Sequence, residues 1–290
     1  MPDSSRFTFP AVPAVLLSIV SVQGGAAIAK GLFPVLGPAG TTSLRVGISA
    51  LVLLLVVRPQ LGRLSGAQWR AVVPYGLALG LMNLLFYFAL ARIPLGLAVT
   101  LEFVGPLGLA LAGSRRWADA VWALLAATGI ALIAPWHSQG IDLLGLAFAL
   151  AAGGAWAMYI VLGQRTAAVL PGHQAVAIGM LFAALPVLPF GVASGSLLGL
   201  TPHLLLLGGL LALFSSVLPF SLEMQALRTL PTRTFSILMS LEPVAAAISG
   251  WLLLGERLLF GQWLAVGFIV IASVGATLTA RRDAPAIISD

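Results

Sequence analysis

Three glutamates, Glu102, Glu223 and Glu242, lie deep within apolar stretches of this chain, and two cations, Lys30 and Arg45, share that setting. At the centre of a bilayer an ionisable side chain costs at least roughly 2.5–3.5 kcal/mol on insertion scales, so each one asks for a reason. The chemistry open to them is recognition and proton carriage. A carboxylate can meet an ammonium or carry a proton, and a guanidinium can hold a carboxylate. Glu102 is read as a substrate-binding or proton-coupling group. Glu242 directly precedes Pro243, and its role divides evenly between that chemistry and satisfying backbone groups that a proline disturbs. Glu223 is read as an ion-pair partner of Arg228 or Arg233, with a gate as the functional alternative. Arg45 sits about 8 Å into its stretch at 1.5 Å per residue; it holds a substrate carboxylate or snorkels to the headgroups. Lys30 is equally open between a gate and snorkelling. Gln23 and Asn83 carry donors and acceptors suited to an amino-acid backbone, or else bond across helix interfaces for about 0.6–2 kcal/mol. Trp156 and Tyr159 lie mid-stretch, away from the depth of aromatic belts, and either line a cavity or pack; Tyr87 is a weaker candidate of the same kind.

Other chemistries find no footing. Cysteine is absent, which removes disulfides, thiolate metal sites and a Cys nucleophile. His137, His173 and His203 stand near the ends of apolar stretches without metal-ligand spacing, and no phosphate loop of the Walker type occurs. The sequence implies no cofactor, no metal and no catalytic cluster, and a membrane-embedded enzyme is the remote alternative.

The elements that must position these residues follow from composition. The 290 residues are 60% hydrophobic and 8% charged, against roughly 25% charged in soluble domains. Such a chain cannot cover a water-facing surface, so most of its exterior must meet lipid. The net charge of +6 is spread singly or in pairs between apolar runs, which excludes a nucleic-acid patch and follows the positive-inside pattern instead. Residues 71–91, 143–164 and 258–280 contain no Asp, Glu, Lys or Arg, and 166–222 is charge-free over a length that fits two spans around Ser194–Gly199. A span needs roughly 20 residues. The predicted spans are 12–34, 40–57, 71–91, 94–113, 118–135, 143–164, 173–193, 204–227, 232–254 and 260–280. Residues 7–29 form the first of these rather than a cleaved leader. Backbone groups in lipid must be paired within the protein, and the runs lack strand alternation, so the spans are helices.

With the N-terminus in the cytoplasm, Arg6, Arg58, Arg63, Arg70, Arg115, Arg116, Arg165, Arg228, Arg233, Arg281 and Arg282 all face inward. Only Arg92 and Arg257 then face outward, which places both termini in the cytoplasm. The halves also echo each other. One interval separates Pro94 from Pro106 and Pro231 from Pro243, and Gly24-Gly25-Ala26 recurs as Gly153-Gly154-Ala155. In that alignment Glu102 matches Met239, one turn from Glu242, so both glutamates can address one cavity. Five helices per half force the second copy to insert upside down, an arrangement that puts a binding site at mid-membrane between the halves. The expected fold is therefore an all-α integral membrane protein of ten transmembrane helices in two inverted five-helix repeats. The repeats run over 12–137 and 142–282, with cytoplasmic tails at 1–11 and 283–290.

Gly24-Gly25-Ala26, Pro94-Leu95-Gly96 leading to Leu101-Glu102-Phe103 and Gly105-Pro106, Leu230-Pro231-Thr232-Arg233-Thr234-Phe235 leading to Leu241-Glu242-Pro243, and the closing Leu254-Gly255-Glu256 resemble the drug/metabolite transporter superfamily with its paired EamA-type repeats. Ser21-Val22-Gln23-Gly24-Gly25, Leu101-Glu102-Phe103 and Pro231-Thr232-Arg233-Thr234 are most similar to its inner-membrane threonine/homoserine exporters. The resemblance runs from about Val12 to Arg282 and implies a multi-pass bacterial inner-membrane protein that moves a small amino acid outward, driven by protons. Partners on that reading are the small-molecule substrate, protons and the lipid bilayer, with a homodimer left open. The alternatives are an importer, or a carrier of another metabolite or drug.

Overall fold

The computed structural model describes residues 10–112, 117–133, 142–227 and 238–279. Among them there is helix and turn but no strand, as an unbroken apolar chain demands in lipid. Helix α1 (Ala11–Val57) is two apolar segments merged across a kink at Gly37, whose φ of 64° only glycine adopts without strain. Pro34 and Pro38 flank the kink, and the hydroxyls of Thr41 and Thr42 donate to the carbonyls of Gly37 and Pro38, both at 2.7 Å. The sequence reading places a break between 34 and 40 as well. Helix α2 (Gly66–Leu90) starts from a capping box in which Ser65 and Gln68 satisfy each other's backbone N–H.

Then follow α3 (Leu95–Glu102), α4 (Val104–Ala112), α5 (Trp117–Ile133), α6 (Leu143–Ala167) and α7 (Gly172–Ala193). After a short turn come α8 (Pro202–Ala212), one π-helical turn (Leu213–Val217) and α9 (Leu218–Leu227). The last two helices are α10 (Glu242–Leu254) and α11 (Phe260–Thr279). Among the described residues five helices are by themselves long and apolar enough to cross a membrane, α1, α2, α6, α7 and α11, and the other apolar helices are shorter.

Three expected continuous spans are interrupted. The predicted helix 94–113 breaks at Phe103, between α3 and α4. Pro106 has no N–H to give the Glu102 carbonyl four residues back, which weakens the ladder there. Span 204–227 carries the π turn, and span 232–254 has a turn at Ser240–Leu241 before α10; its residues 232–237 lie outside the described set.

Helix α1 packs against α2, α7, α8, α9 and α10, so it forms the spine of the molecule. The α3–α4 break lies against α6, where a Cβ added at Gly105 would strike the Gly153 backbone. Large apolar residues such as Leu51, Val56, Leu124, Leu252 and Phe260 face outward. A water-soluble surface would not expose them, and a lipid-facing one requires them.

Candidate functional site

Arg45 lies on the buried face of the second segment of α1, only 6% exposed. It does not snorkel. One terminal nitrogen donates to Oδ1 of Asn83, the other approaches the Ser215 carbonyl at 3.5 Å, and the guanidinium carbon lies 4.9 Å from the centre of the Tyr87 ring. Asn83 is aimed by its own helix, since its Nδ2 donates to the Leu79 carbonyl at 2.7 Å. Leu79, Asn83 and Tyr87 are spaced four apart and share one face of α2. Among the described residues no carboxylate comes within ion-pair distance of Arg45.

The π turn supplies the opposite wall. Pro219 lacks an N–H, so the Ser215 carbonyl four residues earlier loses its helical donor and is free to face Arg45. Single π turns inside α-helices often mark functional positions. Helix α1 follows this irregular stretch residue by residue. Ser21 donates to the Phe214 carbonyl at 2.6 Å, Ser18 donates to Glu223 at 2.5 Å, and Gly25 sits directly against the Ser215 hydroxyl.

Among the described residues four buried side-chain polar atoms have no hydrogen-bond partner: Gln23 Oε1, Arg45 Nε, Tyr87 OH and Ser215 Oγ. Their residues are 2%, 6%, 2% and 4% exposed, respectively. Leaving such a group unpaired costs about 1–3 kcal/mol; three of them belong to residues joined at the guanidinium, Arg45, Tyr87 and Ser215, an arrangement that a polar ligand relieves, and Gln23 lies two residues before Gly25, which packs on the Ser215 hydroxyl. The set offers one acceptor, one cationic donor and two hydroxyls.

The carboxylates border this set. Glu102 ends α3 at the helix break, is 7% exposed, and feels the charge of Arg45. Glu242 opens α10, is equally buried, and lies within Coulomb range of both Glu102 and Glu223. Glu223 is held by Ser18; its expected partners Arg228 and Arg233 fall outside the described residues. Trp156 is half-buried and packs edge-on to Phe103, the residue after Glu102, with ring centres 5.6 Å apart. Tyr159 stacks on Tyr75 at 5.0 Å, accepts from its hydroxyl at 3.3 Å, and packs against two apolar clusters, one with Val72 and Ile178 and one with Val46 and Leu79.

Lys30 does not snorkel either. Its Nζ pairs with Glu256 at 2.6 Å and donates to the Ile93 carbonyl at 3.0 Å, while the other Glu256 oxygen accepts the Leu95 N–H at 2.7 Å. Among the described residues no group of His, Cys, Asp or Glu is arranged to hold a metal. A separate cleft of about 600 Å³ is lined by Pro38, Phe88, Ala91, Arg92, Asp142 and Phe148, none of them in the orphaned set.

Sequence reasoning singles out Arg45, Gln23 and Asn83 but ranks Tyr87 low and passes over Ser215. Pro219, inside an expected span and four residues past Ser215, is the signal that points to it.

Residues 143–278 match the EamA-like transporter family. The chain is 45% identical over 287 residues to the threonine/homoserine exporter RhtA of Escherichia coli (strain K12), covering 98% of this chain and 97% of that protein. It is 44% identical, with the same coverage, to the threonine/homoserine exporter RhtA of Salmonella typhimurium (strain SL1344). A crystal structure that is 20% identical superposes with a TM-score of 0.59, covering 94% of this chain and 99% of that one, and shares the fold.

Proposed function

The chain belongs to the EamA-like transporter family of the drug/metabolite transporter superfamily, and from that premise we propose that it exports small hydroxylated amino acids, threonine and homoserine first, by proton-coupled alternating access. It is a multi-pass integral membrane protein, in bacteria of the inner membrane, and a transporter rather than an enzyme. The near-full-length likeness to proteins named as threonine/homoserine exporters supports the substrate class.

One observation carries the reading: a buried guanidinium with an unused donor and, among the described residues, no contacting carboxylate, bordered by Tyr87 and Ser215, whose hydroxyls are also unpaired. A buried charge is costly without a countercharge, and the carboxylate of an amino acid supplies one. The substrate ammonium meets Glu102 and Gln23 Oε1. Asn83 keeps Arg45 in place, and Trp156 backs the break at which Glu102 stands. A proton taken by Glu102 from the outer side releases the ammonium and resets the carrier. Glu242 and Glu223 extend the acidic series toward the cytoplasm and pass protons along it. The reading takes the chain as two inverted repeats, 12–137 and 142–282, with both termini cytoplasmic. Such repeats place the site between halves that exchange which side is open.

The experiment is counterflow with the purified chain in oriented proteoliposomes, with and without a pH gradient. Threonine and homoserine movement from the cytoplasmic face, accelerated by an outward-acid gradient, is expected. Flux that ignores the gradient removes the proton coupling, flux only toward the cytoplasmic face makes the chain an importer, and no flux of either amino acid removes the substrate assignment.

A further inference from the structure

The unmade hydrogen bonds of the buried cluster can be matched, group for group, to a ligand. Arg45 Nε is a donor on a cation and suits a carboxylate. Gln23 Oε1 only accepts, and with Glu102 it suits an ammonium. That leaves the Tyr87 and Ser215 hydroxyls, each able both to donate and to accept, each on a residue more than nine-tenths buried and each without a partner. Both border the Arg45 guanidinium, Tyr87 through its ring and Ser215 through its carbonyl. They come from different helices, α2 and the π turn, and Gly25 of α1 closes against the Ser215 hydroxyl, where any side chain would displace it.

From this match we infer that the Ser215 and Tyr87 hydroxyls form the subsite that reads the side-chain hydroxyl of the substrate. The inference rests on the amino-acid exporter reading and adds to it the residues that set specificity. A substrate hydroxyl is donor and acceptor at once and needs a partner of each kind, which two hydroxyls provide. An analogue of the same shape with a methyl or hydrogen in that place leaves Ser215 and Tyr87 unpaired and pays for their desolvation. Sites built to bond a hydroxyl reject the analogue lacking it far more strongly than apolar pockets reject a methylene. The π turn is what presents Ser215, because a regular helix would bring a different side chain to this wall.

The test measures counterflow of threonine against valine, and of homoserine against 2-aminobutyrate, in proteoliposomes of wild type, Ser215→Ala and Tyr87→Phe. Each analogue keeps the ammonium and carboxylate and lacks only the hydroxyl function. Wild type is expected to favour the hydroxylated member of each pair. The variants are expected to lose about tenfold of that preference, through slower threonine and homoserine flux, faster analogue flux, or both, in keeping with the loss of one hydrogen bond. The two variants lie on separate elements, so a folding defect in one leaves the other to decide. A preference lowered in this way in either variant supports the inference. A preference unchanged in both, or lost through equal falls of both members of a pair, overturns it, and equal falls reassign the hydroxyls to the shared ammonium or carboxylate. Wild type that moves neither hydroxylated amino acid fails at the exporter reading itself, before the variants are compared, and the inference falls with it.

Discussion

The two cations of α1, on either side of the Gly37 kink, are buried in opposite styles. Lys30 is paired and only partly buried: a carboxylate at 2.6 Å, a carbonyl at 3.0 Å, and a Glu256 whose second oxygen caps the start of α3. Arg45 has an amide and a distant carbonyl, an unused donor, and no contacting carboxylate among the described residues. The first arrangement ties together three places in the chain: α1, the turn into α3, and the end of α10. A carboxylate at a helix N-terminus is also favoured by the helix dipole. The second arrangement gains an amide hydrogen bond and a ring contact but no contacting countercharge among the described residues, which leaves the burial of the charge only partly offset. The difference teaches that a charge paired with a countercharge is holding the structure, whereas a buried one with a donor to spare and no contacting countercharge is held ready for something else.

The largest expected effect breaks the second arrangement. Glu102→Gln keeps size and polarity but removes the charge and the proton site. Export in proteoliposomes is expected to fall by at least about 100-fold, which corresponds to about 2.7 kcal/mol of lost stabilisation. Insertion and yield in the membrane should stay as in wild type. Normal export by this variant would take Glu102 out of the mechanism.

Exchanging the same kind of damage between the two cations sharpens the contrast. Arg45→Met is expected to lose export by a similar factor with little change in thermal unfolding in micelles, because the charge it removes has no partner ion to strand. Lys30→Met strands a mostly buried Glu256 and should cost about 2 kcal/mol of stability, with transport per folded molecule largely kept. Lys30→Met with Glu256→Gln should cost less than the sum of the two single changes. Reversal of the pattern, with Arg45 carrying stability and Lys30 carrying transport, would end the distinction drawn here.

How much of this was legible in the sequence depends on whether the cause is local. The helices, their lipid-facing character and the kink near Gly37 follow from charge-free runs and from Gly and Pro, which act on their own neighbourhood. Arg45 and Glu102 stand out because a charge in lipid is conspicuous wherever it pairs. The Lys30–Glu256 contact spans 226 positions, and nothing in spacing connects a lysine of the first helix to a glutamate just past Gly255. Glu256 reads as a loop residue until the fold brings it to Leu95. Ser215 is hidden for another reason: serine is common in membrane helices, and only the π turn and Pro219 free its carbonyl for Arg45 while its hydroxyl lies against Gly25. Tyr159 is open between cavity and packing on its mid-span depth alone, and its stacking on Tyr75 is a contact 84 positions away that no local spacing announces.

The smallest expected effect comes from the exposed counterpart of the Lys30 clasp. Asp142 caps α6, accepting from the Leu144 and Gly145 N–H groups at 2.8 and 3.1 Å, and accepts from Arg92 at 2.7 Å. The Arg92 hydrogen bond, and then that of Gly145, hold its carboxyl below the usual value. A carboxylate lowered on folding stabilises the folded state above its unfolded value, about pH 4. That contribution is lost as pH falls through the lower folded value. Asp142→Asn keeps a competent cap but removes the charge. The thermal stability of wild type over the variant should therefore be constant above about pH 4 and shrink in more acid solution. Salt should also narrow the gap, because the pair is open to solvent and screened, whereas added salt should leave the Lys30→Met deficit nearly unchanged. A gap that widens on acidification would mean that Asp142 gains from its proton and that the Arg92 contact does not hold it ionised. Equal salt sensitivity of the two pairs would mean that the clasp is no better shielded than the surface.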